Sequence, residues 1–466
     1  MAASARAEAA PATEPGQPPG TQPLARPAKA DGYRGIWYFN QPTKDEYRYK
    51  YSGGMATYPQ QHAPIAIYRK EVNKTFFAYG GTTARQPGDQ PELLHLVSCF
   101  DHATGRVPRP TILLNKHTDD AHDNPTLQID DAGRLWIFSN SHGTGRPSYI
   151  HRSTRPYSVD EFERVLTTNF SYGQPWHLAG QGFLFLHTRY VRGRRNLFWI
   201  TSADGSQWTE AQRLACIEMG DYQISWPCGG RVGTAFDFHP RPLGLNARAN
   251  LYYLETADLG RTWRTVAGQP VTTPLTNSAN AALIYDSRKE ARLVYLKDLN
   301  FDAQGRPVIL FLTSKGFEPG PANGPREWKT ARWTGAAWDI RALTTSGNNY
   351  DHGSLYIEAD GTWRVIAPTD LGPQPYNPGG EIVMWTSRDQ GRTWQRAKQL
   401  TRNSSRNHTY ARRPLDAHPG FYALWADGHA RQPSESCLYF TDRDGTHVWR
   451  LPARMDGEFA VPEIAW

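Results

Sequence analysis

Thr256-Ala257-Asp258-Leu259-Gly260-Arg261-Thr262-Trp263 is a turn that recurs along the chain with the same chemistry. Thr201-Ser202-Ala203-Asp204-Gly205-Ser206-Gln207-Trp208 and Thr386-Ser387-Arg388-Asp389-Gln390-Gly391-Arg392-Thr393-Trp394 repeat it, and Asp442-Arg443-Asp444-Gly445-Thr446-His447-Val448-Trp449 is a degenerate copy. In each, an Asp side chain can accept hydrogen bonds from its own turn, a Gly supplies a positive-φ position, and a Trp packs beneath. Each good copy follows a strand-like run such as Asn196-Leu197-Phe198-Trp199-Ile200. Weaker turns stand at Asp131–Gly133, Asp302–Gly305 and Asp360–Gly361. Between the turns, short apolar and aromatic runs replace any long helical period, so the fold class is all-β.

The recurring turn resembles the Asp-box, or BNR repeat, of sialidase-like β-propellers. That resemblance implies a β-propeller in which each copy joins the last two strands of a blade. Propellers have roughly 4–8 blades of four strands. Seven blades over residues 31–466 take about 62 residues each, near the separation of Gly205 and Gly260. Six larger blades also fit, and a β-sandwich with the same turns is the other arrangement. The first and last segments are expected to close the ring. The motif is scaffold and carries no chemistry of its own.

Composition agrees with many short strands and tight turns. The 466 residues include 16 Trp, 23 Tyr, 18 Phe, 41 Gly and 35 Pro. The net charge of +7 comes from scattered residues rather than a basic face, which argues against nucleic acid and suits anionic small molecules or an acidic polysaccharide. Cys99, Cys216, Cys228 and Cys437 lack metal-ligand spacing and read as free thiols, with one disulfide as the alternative. No window is apolar enough for a transmembrane helix. Residues 1–30 are Ala/Pro-rich without an apolar h-region and read as a disordered leader or export remnant, followed by one catalytic domain over 31–466. A secreted or periplasmic monomer is expected.

The first chemical candidate is a pair of histidines. His122 lies in Asp119-Asp120-Ala121-His122-Asp123-Asn124-Pro125 and His142 in Ser139-Asn140-Ser141-His142-Gly143. Thr126–Ile129 and Leu135–Phe138 flank an Asp/Gly turn, so the segment reads as a β-hairpin with both histidines at its open end. Two imidazoles on one rim can transfer protons near neutral pH. Tyr172, in Ser171-Tyr172-Gly173-Gln174-Pro175-Trp176, precedes the strand Phe183–Tyr190, and Arg189 ends that strand on the face shared by Phe183 and Phe185.

Asp31-Gly32-Tyr33-Arg34-Gly35-Ile36-Trp37, Tyr49-Lys50-Tyr51-Ser52-Gly53-Gly54 and Val72-Asn73-Lys74-Thr75-Phe76-Phe77 with Gly80-Gly81 resemble BNR-4 propeller proteins. The two histidine motifs are most similar to the L-rhamnose-α-1,4-D-glucuronate lyase group, polysaccharide lyase family 42, and the related glycoside hydrolase family 145. Ulvan lyases and a fungal rhamnose–glucuronate lyase are more distantly similar. The resemblance implies a lyase site of two histidines, a tyrosine and an arginine, which fall on His122, His142, Tyr172 and Arg189, with Arg195 as the competing arginine. These residue types suit β-elimination from an arabinogalactan-type glycan. The cation, aided by His122, stabilises the carboxylate side as the C5 proton leaves, and His142 and Tyr172 share the roles of base and acid. L-rhamnose and an unsaturated glucuronate end are the expected products.

The hydrolase relatives imply an alternative α-L-rhamnosidase centred on a single histidine of the opposite face. Its nearest candidate is His62, in Thr57-Tyr58-Pro59-Gln60-Gln61-His62. A non-catalytic glycan-binding propeller is the third reading. Paired carboxylates of an ordinary glycosidase do not stand out as a motif, and a sialidase would need three arginines and a Tyr/Glu pair. Arg195, Arg231, His239, His352, Tyr410 and Arg412 are the candidates to line the glycan face. The chemistry needs no cofactor; His239, His352 and His408 are candidates to hold a structural cation such as calcium in the central channel.

Overall fold

The structure, a computed structural model, describes residues 22–23, 27–54, 61–83 and 92–466. Most of the leader expected over 1–30 lies outside the described residues, as do Thr57–Gln60. Among the described residues the strands form seven sheets of four or more strands, in chain order around a ring. The chain is a seven-bladed β-propeller, and the alternatives of six blades or a sandwich do not hold.

Blade 1 is Ala66–Arg69, Lys74–Gly81, Leu94–Asp101 and Thr111–Asn115. Blade 2 is Pro125–Ile129, Leu135–Ser139, Ser148–Ser153 and Phe162–Thr168. Blade 3 is Ser171–Leu178, Gly182–Val191, Arg194–Ser202 and Gln212–Ala215. Blades 4 to 7 start at Asp221, Leu293, Ser354 and Asn407. Inner strands are covered by neighbouring blades on both faces, so Pro125–Ile129 and Asn407–Arg412 are buried throughout. The outermost strand of blade 6, Gln395–Gln399, is wholly exposed.

The Asp boxes sit as their sequence implies, between the third and fourth strands of blades 3, 4, 6 and 7. Asp258 accepts from the Thr262 amide at 2.9 Å and from its hydroxyl at 2.7 Å. Gly260 has φ +85°, and a Cβ there would stand 2.3 Å from Trp199 Nε1, so both conformation and space demand glycine. The weaker Asp/Gly turns join first to second strands in blades 2, 5 and 6. Strand alternation therefore puts every one of these turns at the same end of the propeller.

Ring closure uses both termini. Gly35 bridges to Gly81, and Tyr33 N donates to Pro452 O at 2.8 Å. Phe459–Ala460 pairs with Val107–Pro108, tying the C-terminal segment back to blade 1. A separate hairpin, Trp37–Pro42 with Tyr49–Gly54, reaches over the end opposite the Asp boxes. The four cysteines are free thiols, so the disulfide alternative falls.

Candidate active site

The blade 2 hairpin forms as read, with Ser139 paired to Pro125 at its open end. His122 sits on a single 3-10 turn, Ala121–Asp123, and the turn is capped by Asp120, which accepts from the His122 amide at 3.0 Å. Asn124 ends the turn and Pro125 starts the strand, since proline cannot continue a helical turn. His142 follows the second strand. Its amide donates to Asp123 Oδ1 at 2.6 Å, and Arg146 clamps the same buried carboxylate at 2.8 and 3.0 Å. Asp123 thus holds one loop against the other.

The two imidazoles stack, with ring centroids 4.1 Å apart and planes 15° off parallel. Asp120 bridges them: one oxygen meets His122 Nδ1, and the other meets His142 Nδ1 at 2.8 Å. A carboxylate accepts only, so both Nδ1 atoms carry the hydrogen and both Nε2 atoms are basic. Tyr51 donates to His122 Nε2 at 3.0 Å, whereas the His142 side chain keeps 27% exposure. Burial pushes His122 down to about 4, against the pull of Asp120, so it is neutral at neutral pH. Burial also opposes ionisation of Asp120, but the two imidazoles hold it far below the usual carboxylate range. The same Asp120 charge, after burial, keeps Tyr38 protonated.

Tyr172 lies across from the pair, at the start of blade 3. A bulge between Ser171 and Gln174 gives it φ +53°, a left-handed conformation uncommon for a bulky residue. Its ring centroid is 6.2 Å from His122 and 6.3 Å from His142. Its hydroxyl is 3.3 Å from that of Tyr190 and 3.5 Å from that of Tyr222. Arg195 stacks over both of those tyrosines, at 5.2 and 5.5 Å. Burial raises the Tyr190 phenol to about 12, with Arg195 pulling the other way. Arg248 is buried against Tyr222, Tyr295 and Tyr350 at 4.5 to 5.5 Å. Lys50, on the overlying hairpin, is lowered to about 7 by burial and by the charges of Arg248 and Arg195.

Of the residues expected at the site, His122, His142, Tyr172 and Arg195 come together. Arg189 does not. Tyr190 pairs with Arg195 and Arg189 with Asn196 across the strands, so alternation turns Arg189 to the other face. There its Nε donates to His187 at 3.1 Å and its guanidinium covers Phe198. His62 is not on the opposite face: its Nε2 donates to His122 O at 3.0 Å and its ring is 5.5 Å from Tyr172. It precedes the first strand of blade 1, and that entry lies at the histidine end. Burial drives His62 down to about 3.

His239, His352, Tyr410 and Arg412 lie at this end but beneath the surface. His239 backs onto Tyr222 with ring centroids 4.8 Å apart, and Lys297 donates to His352 Nδ1 at 3.1 Å. Arg412 donates to the Tyr410 hydroxyl at 2.8 Å, which in turn donates to His62 O. Arg231 starts the second strand of blade 4, which puts it at the Asp-box end beside Glu255 and Gly305. His408 accepts from Trp425 inside blade 7 at 3.1 Å, so His239, His352 and His408 do not converge on one centre. Among the described residues, Asp120, His122 and His142 are the group whose ligand atoms lie within 4.8 Å of one another. Two imidazoles and one carboxylate suit a transition metal better than calcium, which takes six or more oxygens. Asp120 already meets both Nδ1 atoms, and Tyr51 meets Nε2 of His122.

Sequence reasoning missed Asp120, Tyr38, Tyr51, Tyr190, Tyr222, Arg248 and Lys50. Lys50, Tyr51, Asp120 and Tyr190 stood within quoted motifs. The remainder come from other blades or the hairpin and share no spacing with the histidines.

The model of the BNR repeat-containing family, BNR_4, matches residues 110–346, which hold both histidines, Tyr172 and Arg195. An ulvan lyase of Alteromonas sp. (strain LOR) is 23% identical over 433 residues, 83% of this chain and 84% of that protein. An ulvan lyase of Nonlabens ulvanivorans is 24% identical over 407 residues, 77% and 81% of the two chains. The solved structure of a PL25 ulvan lyase bound to -[GlcA(1-4)Rha3S]- superposes with a TM-score of 0.70 at 17% identity, covering 90% of this chain and 96% of that one. The family match spans just over half of the sequence, so the chain belongs to the BNR repeat-containing family.

Proposed function

We propose that the protein is a polysaccharide lyase that cleaves a 4-linked uronate by β-elimination. The observation that carries this is the Asp120-bridged imidazole pair facing Tyr172 beside Arg195. His142 is the base. Asp120 holds its Nδ1 hydrogen, which orients the ring and makes Nε2 the acceptor of the C5 proton. Tyr172 is the acid that protonates O4 as the C4–O4 bond breaks and the C4–C5 double bond forms. Arg195 meets the C6 carboxylate and stabilises the charge that develops there. Neutral His122, fixed by Asp120 and Tyr51, supports the carboxylate side without repelling His142.

The ulvan lyases that match over most of both chains support this reaction class. Within it, the substrate proposed is the L-rhamnose-α-1,4-D-glucuronate end of an arabinogalactan-type glycan, acted on outside the cytoplasm. Hydrolysis by His62 has weaker support, because that ring is buried and its Nε2 is bonded to a backbone carbonyl.

Incubation with a rhamnose-capped glucuronate glycan and, in parallel, with ulvan tests this. Ultraviolet absorbance from a C4–C5 double bond is expected, together with free L-rhamnose from the capped glycan. Free rhamnose without the chromophore would replace the lyase by the hydrolase. Binding without any product would favour a glycan-binding propeller. His142→Ala should abolish the chromophore.

A further inference from the structure

Asn140 is fully buried, two residues before His142. Its Nδ2 donates to Asn124 O at 2.7 Å, the end of the turn that carries His122. Its Oδ1 accepts from Gly173 N at 2.8 Å, the residue after Tyr172. The bulge between Ser171 and Gln174 takes Gly173 out of the strand ladder, so this amide needs a partner from elsewhere. A Cβ on Gly173 would stand 2.7 Å from Asn140 Oδ1, so glycine permits the approach. One side chain amide therefore touches the backbone beside His122 and Tyr172, from a position beside His142.

We propose that Asn140 is a positioning residue that sets the distance between the histidine loops of blade 2 and the Tyr172 bulge of blade 3. The inference rests on the lyase reading for its effect on rate. Tyr172 holds a strained φ only while its surroundings over-determine it. The amide from Asn140 is one such restraint, and it ties that strain to the turn holding His122. Asn140→Asp keeps the acceptor for Gly173 but loses the donor to Asn124. Asn140→Ala loses both. A displacement of about 1 Å between acid and base costs on the order of 100-fold in rate.

The test measures kcat and KM on the glycan that gives the chromophore, and the imidazole NMR titrations of His122 and His142 in the free protein. Tyr356→Phe, which removes a buried hydrogen bond to Tyr422 O between blades 6 and 7, away from the histidines, is the stability control. For both Asn140 variants kcat is expected to fall about 100-fold with KM within about threefold. The hydrogens on the Asp120-bound nitrogens are expected to shift or broaden, and the control should change neither. Should Asn140→Ala fail to fold, Asn140→Asp carries the test alone. A folded Asn140→Asp with the kcat and imidazole spectrum of the control overturns the proposal. If instead Tyr172→Phe and His142→Ala are fully active, the lyase site is wrong while the NMR comparison still judges whether Asn140 positions the imidazoles.

Discussion

Replacing Asp120 by Asn is the sharpest test of the site. The carboxylate accepts from His122 N, from His122 Nδ1 and from His142 Nδ1. An amide of the same size keeps one acceptor oxygen and turns the other end into a donor. That donor faces an Nδ1 that also carries hydrogen, so one imidazole must change tautomer or swing away. If it is His142, Nε2 acquires the hydrogen and is no longer a base. A charge-assisted bond contributes about 1.5–3 kcal/mol, and here one is lost while another becomes a donor–donor clash. The barrier should rise by about 4–5 kcal/mol, or on the order of 10³–10⁴ in kcat at about 1.4 kcal/mol per decade. KM should stay within about threefold, because Asp120 meets the imidazoles and not the sugar. Initial rates of double-bond absorbance measure this, with the thermal midpoint recorded alongside. A folded Asp120→Asn enzyme within about tenfold of wild-type kcat would refute the assignment of His142 as an Asp-oriented base.

Three further predictions concern the neighbouring cation, the acid response and the scaffold. Arg195→Met should lower kcat by about 10²–10³ and Arg189→Met by less than about threefold; parallel progress curves decide, and the reverse order would return the role to Arg189. Burial holds His62, His151, His187 and His408 at about 3 and His122 at about 4, below the ordinary value of 6.5. The unfolded chain therefore binds more protons between about pH 6.5 and 4, so stability is present above that range and is lost as pH falls, by about 1.4 kcal/mol per unit for each histidine. Thermal midpoints across pH should fall steeply below about 6, and a flat profile down to about pH 5 would contradict the burial of these rings. Gly260→Ala should cost about 3 kcal/mol in urea unfolding, from its φ of +85° and the 2.3 Å approach to Trp199. Gly268→Ala, with φ +81° and open space, should cost about 1 kcal/mol, and equal losses would mean that packing under the Asp box is unimportant.

Local chemistry was legible wherever it is closed within a few residues. Asp258, Gly260 and Thr262 complete one turn among themselves, so the Asp boxes could be read without any partner. The blade 2 hairpin was equally local, and its ends delivered His122 and His142 to one rim. Arg189 and Arg195 show where this stops. Both border the same strand turn, and a carry-over by motif can slip by a residue or two. One step along a strand reverses the side chain, so the choice between them required the cross-strand register.

From the sequence by itself came the all-β repeat, the Asp-box turns and the histidine pair, because each depends on neighbours along the chain. The tertiary structure decided the blade number, the end on which each residue lies, and the company the histidines keep. Tyr51 from the hairpin and Tyr222 from blade 4 reach the centre only when the ring closes. His62, expected on the far face, was brought under His122 by the direction of one strand. A propeller site is gathered from several blades around an axis, and separation along the chain holds no record of that angular order.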